Sequence, residues 1–238
     1  MATVQSVLAA LKSKAKEGTR KIFSRHGMPY ERVLGVNVAD MKPIAKSIQG
    51  QQALAMDLYD TGVMEAMYVA GLVADGAKMT REQLNHWALG AAELQMIAEY
   101  IVPWVTVENA HARDLAMEWM GSKKELVASA GWSTYSGLLS LRPDDALDLK
   151  EVKSLLDKVV KQIHTAPNRV RYTMNTFVIC AGSYVIPLGK ETRAAANKIG
   201  VVTVDMGETA CEVPSALAYI GKVEAAGKLG KKKKTIRC

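Results

Sequence analysis

The sequence has few cysteines, and they do not form the pattern of a disulfide framework. The 238 residues include three cysteines, Cys180, Cys211 and Cys238, which lie far apart. This odd number and wide spacing favour a reducing compartment over an oxidising one. A metal site needs ligands at closer spacing. We therefore expect no metal, and a metal or redox pair of Cys211 with Cys238 is disfavoured.

Long apolar runs are also missing. The most apolar stretch, FVICAGSYVIPL, is too short for a membrane span and is interrupted by Gly, Ser and Pro. The first residues, MATVQSVLAALKSKAKEG, place lysines after a short apolar run, which is the reverse of a secretory signal. This stretch is expected to form an amphipathic first helix. We expect a cytoplasmic protein that does not contact membranes.

Patterns typical of β-strands are scarce. Phe, Trp and Tyr make up 6% of the chain, and GVVTVDMG at 200–207 is the one longer β-branched alternation. Apolar residues recur instead at helical spacing, for example over 62–74 and 149–163. The sequence predicts an all-α protein in which 177–189 is helical despite its β-branched content.

The predicted helices form pairs in which a polar helix precedes an apolar one. The polar members are expected near 39–49, 80–89, 106–120, 146–164 and 190–199, and the apolar members start near 62, 91, 123, 168 and 214. Successive apolar starts are 29, 32, 45 and 46 residues apart, a loose repeat typical of two-helix solenoid units. Because one pair cannot bury its own apolar face, the pairs must stack into an α-solenoid whose inner helices line a concave surface.

Two apolar helices begin with a capping candidate that is followed by cations. Ser122 precedes one helix, and Asn168 precedes the other. Capping-box spacing links Ser122 to Glu125, and it also links Thr80 to Gln83 at an earlier helix. Cations at a helix N-terminus oppose the helix dipole, at a cost of up to about 1 kcal/mol each. A bound phosphate would satisfy both the cations and the free N–H groups, although ordinary solvated cations are the alternative. The candidate phosphate contacts are Lys123, Lys124, Arg169 and Arg171.

The net charge of +7 is concentrated in residues 227–238, GKLGKKKKTIRC. This segment holds six cations and no acid, so removing it leaves residues 1–226 with only +1. Its glycines and few apolar residues predict a flexible arm that attracts phosphate nonspecifically. The alternative is a solvated tail that has no role in binding. We therefore expect one helical domain over 1–226 and a flexible basic tail over 227–238. The candidate phosphate contacts in the tail are Lys231, Lys232, Lys233 and Lys234.

Three stretches together suggest a family. ALAMDLYDTGVMEAMYVAGLVADGAKMTREQLNHW, AMEWMGSKKELVASAGW and NRVRYTMNTFVICAGSYV resemble, in order and spacing, successive repeats of the AlkD-like DNA alkylation repair family. The resemblance covers roughly 35–225. It implies an all-helical HEAT-like solenoid whose concave face holds duplex DNA. It also implies that active members excise positively charged alkylated purines without a metal or cofactor, so we expect no cofactor here.

The family's catalytic positions are occupied by other residues in this sequence. In active members an inner helix presents a Trp and, four residues later, an Asp that stabilises the positive charge developing on the sugar. The register set by Gln83 and Trp87 places these positions at Leu94 and Ala98. The family's basic cleft residue and second cleft Trp fall at Ser129 and Thr176. A carboxylate contributes several kcal/mol at a developing cation, and Ala98 contributes none.

Other residues with related spacing are weaker candidates. Trp104 and Glu108 have the Trp-to-acid spacing, but their use would require a ten-residue shift of the register. The four tryptophans, which all lie between 87 and 132, are expected in the core rather than stacked on bases. The sequence thus predicts a monomeric member of the family that binds duplex or structured DNA without excising bases. The alternatives are an active glycosylase for 3-methyladenine and 7-methylguanine, and a helical-repeat adaptor that binds proteins.

Overall fold

The computed structural model describes residues 2–237. This part of the chain forms thirteen α-helices and no strand, which confirms the all-α prediction. The helices are α1 (Val4–Lys12), α2 (Glu17–Arg25), α3 (Val38–Ser47), α4 (Gln52–Asp60), α5 (Met64–Val73), α6 (Arg81–Gly90), α7 (Val102–Thr106), α8 (Ala112–Met120), α9 (Glu125–Leu141), α10 (Leu149–Gln162), α11 (Asn168–Tyr184), α12 (Gly189–Ile199) and α13 (Ala216–Ala225).

Contacts between the helices group the chain into two compact units. One is the chain up to His111 with Met206–Cys211, which contains α1 to α7. The other is Ala112–Asp205 with the chain from Glu212 onward, which contains α8 to α13. The sequence predicted a single helical domain over 1–226. Repeat proteins are stabilised by contacts between neighbouring repeats. The apolar pattern of each single helix does not indicate which repeats pack into one compact unit.

Helix α5 forms the centre of the first unit. It packs against α3 and α4, and nearly all of its residues are buried. Its single acid, Glu65, is fully buried, and its carboxylate accepts the backbone N–H groups of Leu34, Gly35 and Val36 at 2.6–3.1 Å. A buried charge is tolerated when several donors are directed at it. Glu65 therefore fixes the loop that precedes α3.

The apolar helix expected to start near 91 begins later. Glu93 has a φ of 67°, in the left-handed region, and this interrupts the helical backbone after α6. The chain then enters α7 through a π-helical turn over Ile97–Ile101. Pro103 has no N–H to donate to the carbonyl of Glu99. The π-helical turn contains Glu99, so the regular α-helical hydrogen-bond pattern is interrupted where Pro103 cannot donate.

One of the two proposed capping boxes forms. The Thr80 hydroxyl accepts the N–H of Gln83 at 3.2 Å, and the Gln83 side chain accepts the N–H of Thr80 at 2.9 Å. Ser122 instead accepts the N–H of Lys124 at 3.1 Å, and α9 begins at Glu125 without a side-chain cap. The predicted Ser122 capping box is therefore wrong, because the residue at the N-cap position of α9 is Lys124 and not Ser122.

Helix α9 is central to the second unit, where it packs against α8 and α11. A Cβ atom at Gly131 would lie 2.6 Å from the Met120 nitrogen and 2.7 Å from the Ala116 oxygen, so the backbones of α8 and α9 are in direct contact there. On the other side, Trp132 of α9 meets Phe177 of α11 edge to face, with ring centroids 5.2 Å apart. Both inner helices are thus fixed by close packing.

The β-branched stretch at 200–207 is irregular rather than a strand. Its backbone is held by Asn168, whose side chain accepts the N–H of Asp205 at 2.7 Å and donates to the Asp205 carbonyl at 2.8 Å. Asn168 is the first residue of α11 and does not cap it, which corrects the expected role. Helix α11 continues to Tyr184, so most of the stretch predicted as helix over 177–189 is α-helical, and Ile186–Leu188 forms a 3₁₀ turn.

Candidate nucleic-acid interface

Helices α9 and α11 run parallel to each other. At their starts, the Glu125 carboxylate of α9 accepts the backbone N–H of Arg169 in α11 at 2.5 Å. At their ends, residues Leu139 and Ser140 of α9 and Ser183 of α11 all accept hydrogen bonds from one segment, 228–237. Contacts at both ends establish that the two N-termini lie together and that the two C-termini lie together.

The N-terminal edge of this helix pair, defined by Lys123 and Lys124, carries two exposed cations. They precede α9, whose first N–H groups receive no side-chain cap. Free N–H groups and the helix dipole give this end a partial positive charge. The two lysines add to that charge, so the edge attracts anions such as phosphate.

The two predicted arginine contacts lie in different surroundings from the lysines. Arg169 is buried, and its guanidinium lies 4.5 Å from the centroid of the Tyr172 ring. Arg171 is half-buried and donates to the Asn168 side chain at 3.4 Å. Arg169 therefore packs within the unit. Of the four residues, Lys123 and Lys124 are the ones fully available to a ligand.

The residues that the family resemblance predicts at the catalytic positions are largely enclosed. Leu94, Ala98 and Ser129 are fully buried. Thr176 is half-buried, and its hydroxyl donates to the Tyr172 carbonyl at 3.1 Å. None of these side chains ionises, so none can stabilise a developing positive charge as a carboxylate does.

The weaker candidate pair, Trp104 and Glu108, is already used in packing and hydrogen bonding. Trp104 is buried and meets Tyr68 edge to face at 5.5 Å between centroids. Glu108 accepts the backbone N–H of Gly76 at 3.0 Å. The indole therefore serves the core of the first unit, and the carboxylate fixes the turn before α6.

The other tryptophans are buried too, as core packing predicts. Trp87 stacks on Tyr59 at 4.0 Å between centroids, and Trp119 and Trp132 lie in the second unit. Lys158 of α10 lies 5.8 Å from the centroid of the Trp132 ring. Lys158 was not among the predicted site residues, although its place beside the apolar stripe of α10 is visible in the sequence. Lys158 and Lys123 line one cavity of about 340 Å³.

The segment 228–237 packs along the ends of α9 and α11, which differs from the flexible arm expected from the sequence. Lys232 Nζ lies 2.8 Å from Asp144 Oδ1 and donates to the Leu139 carbonyl at 3.0 Å. The N–H of Lys233 donates to the Ser140 carbonyl at 2.8 Å. The N–H of Gly230 donates to the Ser183 carbonyl at 2.8 Å. The last carbonyls of a helix lack partners within it, and here the segment supplies them.

Of the four consecutive lysines 231–234, three face solvent. Lys231, Lys233 and Lys234 are exposed, whereas Lys232 is half-buried. Lys233 Nζ lies 5.8 Å from the centroid of the Tyr184 ring, and burial raises the pKa of Tyr184 to about 12. That phenol stays neutral at physiological pH. We call these three lysines the C-terminal edge of the helix pair.

The described residues contain no group of three or more His, Cys, Asp and Glu that could hold a metal ion. Cys180 and Cys211 are free, and burial raises the pKa of the Cys180 thiol. The Cys211–Cys238 pair cannot be placed because Cys238 lies outside the described residues. Within residues 2–237, no helix is long and apolar enough to cross a membrane.

The stacked helix pairs define a HEAT-like repeat protein. The family model described as DNA alkylation repair enzyme matches residues 7–183, and the chain belongs to this family. The uncharacterized protein Lmo0209 of Listeria monocytogenes is 30% identical over 225 residues, which cover 93% of this chain and 97% of the relative. Lin0241 of Listeria innocua is 29% identical over the same shares.

A solved structure matches the whole chain. It superposes with a TM-score of 0.90 at 35% identity, and the match covers 100% of both chains. That structure represents a new family of proteins related to the HEAT-like repeat DNA glycosylases, with affinity for branched DNA structures. The similarity confirms the predicted fold and the predicted family.

Proposed function

We propose that this protein binds the phosphate backbone of branched DNA and does not excise bases by the family chemistry. The support for binding is the affinity of the 35% identical solved relative for branched DNA. The exposed Lys123 and Lys124, beside the uncapped start of α9, supply a suitable contact for phosphates. Contacts of this kind carry no base sequence information, so they suit recognition of DNA structure rather than sequence.

The proposal that excision is lost depends on one observation above the others. Ala98, which the resemblance places at the position of the family's catalytic acid, is fully buried, and so is Leu94. Cleavage of the bond to a charged purine leaves positive charge on the sugar, and a nearby carboxylate is the group that would stabilise it. The carboxylate of Glu108, the alternative acid, already accepts a hydrogen bond from the backbone of Gly76, so its role is structural.

One experiment tests both parts of this proposal. Binding to four-way junction, mismatched duplex and plain duplex is measured by fluorescence anisotropy at about 50 and 200 mM salt. Release of 3-methyladenine and 7-methylguanine from methylated DNA is followed by chromatography in the same samples. We expect tightest binding to the junction, weaker binding at the higher salt, and no release above background.

The two alternatives give different results. Robust base release would show an active glycosylase, and Glu108→Gln is then the first substitution, because loss of release in that variant would mean that the register is wrong. Failure to bind any DNA at either salt concentration would rule out the binding proposal and favour a protein-binding adaptor.

A further inference from the structure

We infer that segment 228–237 forms a fixed second edge for DNA phosphates, at the opposite end of α9 and α11 from the first. The inference rests on the proposed binding of DNA, and it adds the location of a second set of contacts to the DNA phosphates. Three backbone carbonyls and one carboxylate of the second unit hold the segment, so its lysines occupy set positions.

One lysine anchors the segment, and the others remain free. Lys232 is half-buried against Asp144 and the Leu139 carbonyl, so its charge is already paired. Lys231, Lys233 and Lys234 are exposed. A run of four chemically equal lysines is thereby divided into one structural residue and three available cations.

Gly230 allows the segment to lie this close to the helix pair. Its φ is 72°, and a Cβ atom there would lie 2.7 Å from the Ile186 side chain. Leu229, next to it, packs against the core of the second unit. The apolar contact and the left-handed turn together place the lysines that follow.

The two edges are separated by the length of the helices between them. Each helix has 17 residues, which corresponds to about 25 Å at the α-helical rise. Lys123 and Lys124 lie at one end, and Lys231, Lys233 and Lys234 lie at the other. A flexible lysine run would attract any phosphate. Two fixed lines of cations favour nucleic acids whose backbones are spaced to meet both.

The test releases the segment without changing its lysines. Asp144→Ala removes the anchor carboxylate, and Asp145→Ala, at the exposed neighbouring residue, makes the same change in charge away from it. Trypsin cleavage after Lys231, Lys233 and Lys234 is followed by mass spectrometry, and affinity is measured for junction and linear duplex. Lys232→Ala, compared with Lys228→Ala at an exposed lysine outside the C-terminal edge, repeats the test if Asp144→Ala fails to fold.

For Asp144→Ala we expect faster cleavage and a five- to tenfold loss of affinity for the junction, with a smaller loss for duplex, because a released segment must be ordered again on binding. Asp145→Ala should match the wild type. Unchanged cleavage would show that the anchor does not hold the segment. Faster cleavage with unchanged binding would show that the segment is held but does not contact DNA. Absence of DNA binding by the wild type would reject the proposed function and this inference with it, while the cleavage data would still report the anchor.

Discussion

The carboxylate of Glu125, at the start of α9, accepts the backbone N–H of Arg169, at the start of α11, at 2.5 Å. This contact assigns different roles to two helix ends that look alike in sequence. At the start of α11 an anion is already present, supplied by the protein itself. The start of α9 receives no side-chain cap and lies beside Lys123 and Lys124. An external phosphate is therefore expected at α9 and not at α11.

The N-terminal edge can be tested by replacing its two lysines. The double variant Lys123→Ala, Lys124→Ala should bind junction DNA more weakly and flatten the slope of log affinity against log salt by about 2 units, since each phosphate contact contributes about 0.9. Its thermal midpoint should match the wild type because both side chains are exposed. Arg169 is left unchanged because it is buried, and its loss would confuse binding with stability.

A matched control separates this edge from overall charge. Lys150 and Lys153 are exposed on α10, and replacing both with Ala removes the same charge from the same unit. The control slope should differ little from that of the wild type. Equal slopes for the two double variants would mean that Lys123 and Lys124 are ordinary surface cations.

Close packing of α8 on α9 leads to a second expectation, which concerns stability. Gly131→Ala should lower the free energy of unfolding by about 1–3 kcal/mol, because the added Cβ would meet backbone atoms that cannot yield. Gly221, on α13, has open space around its Cβ position, so Gly221→Ala should raise stability by about 0.5–1 kcal/mol. Urea denaturation of both variants measures the difference. A stabilising effect of Gly131→Ala would show that the helices are farther apart than described.

The helices were predictable from sequence because their signals are local. Apolar spacing over 62–74 and 149–163 identified α5 and α10, and the Thr80 capping box formed as expected because both partners lie on one turn. The displaced helix near 91 shows the limit. Apolar content alone did not reveal that Glu93 adopts a left-handed backbone or that Pro103 weakens the turn before it.

Side-chain roles at the candidate site were less predictable, because they depend on residues distant in the chain. Nothing in KKKK distinguishes Lys232 from its neighbours, and the distinction comes from Asp144, which is 88 residues earlier. Arg169 follows the same rule, since its environment depends on Glu125 in another helix. A pattern within one segment identified candidate cations and could not decide which of them face solvent.

The burial of Ala98 allows the proposed loss of family chemistry to be tested. Ala98 is fully buried, so Ala98→Asp would place a carboxylate where no water can reach it. We expect a loss of about 3 kcal/mol or more in the free energy of unfolding and no release of methylated bases, alone or with Leu94→Trp. Ala53→Asp is the matched control, because Ala53 is exposed in the first turn of α4, where an acid is favourable. Denaturation and base release are measured on all variants.

Unchanged stability of Ala98→Asp would mean that this position faces solvent. Gain of excision in the double variant would mean that the position belongs to a cleft able to perform the family reaction.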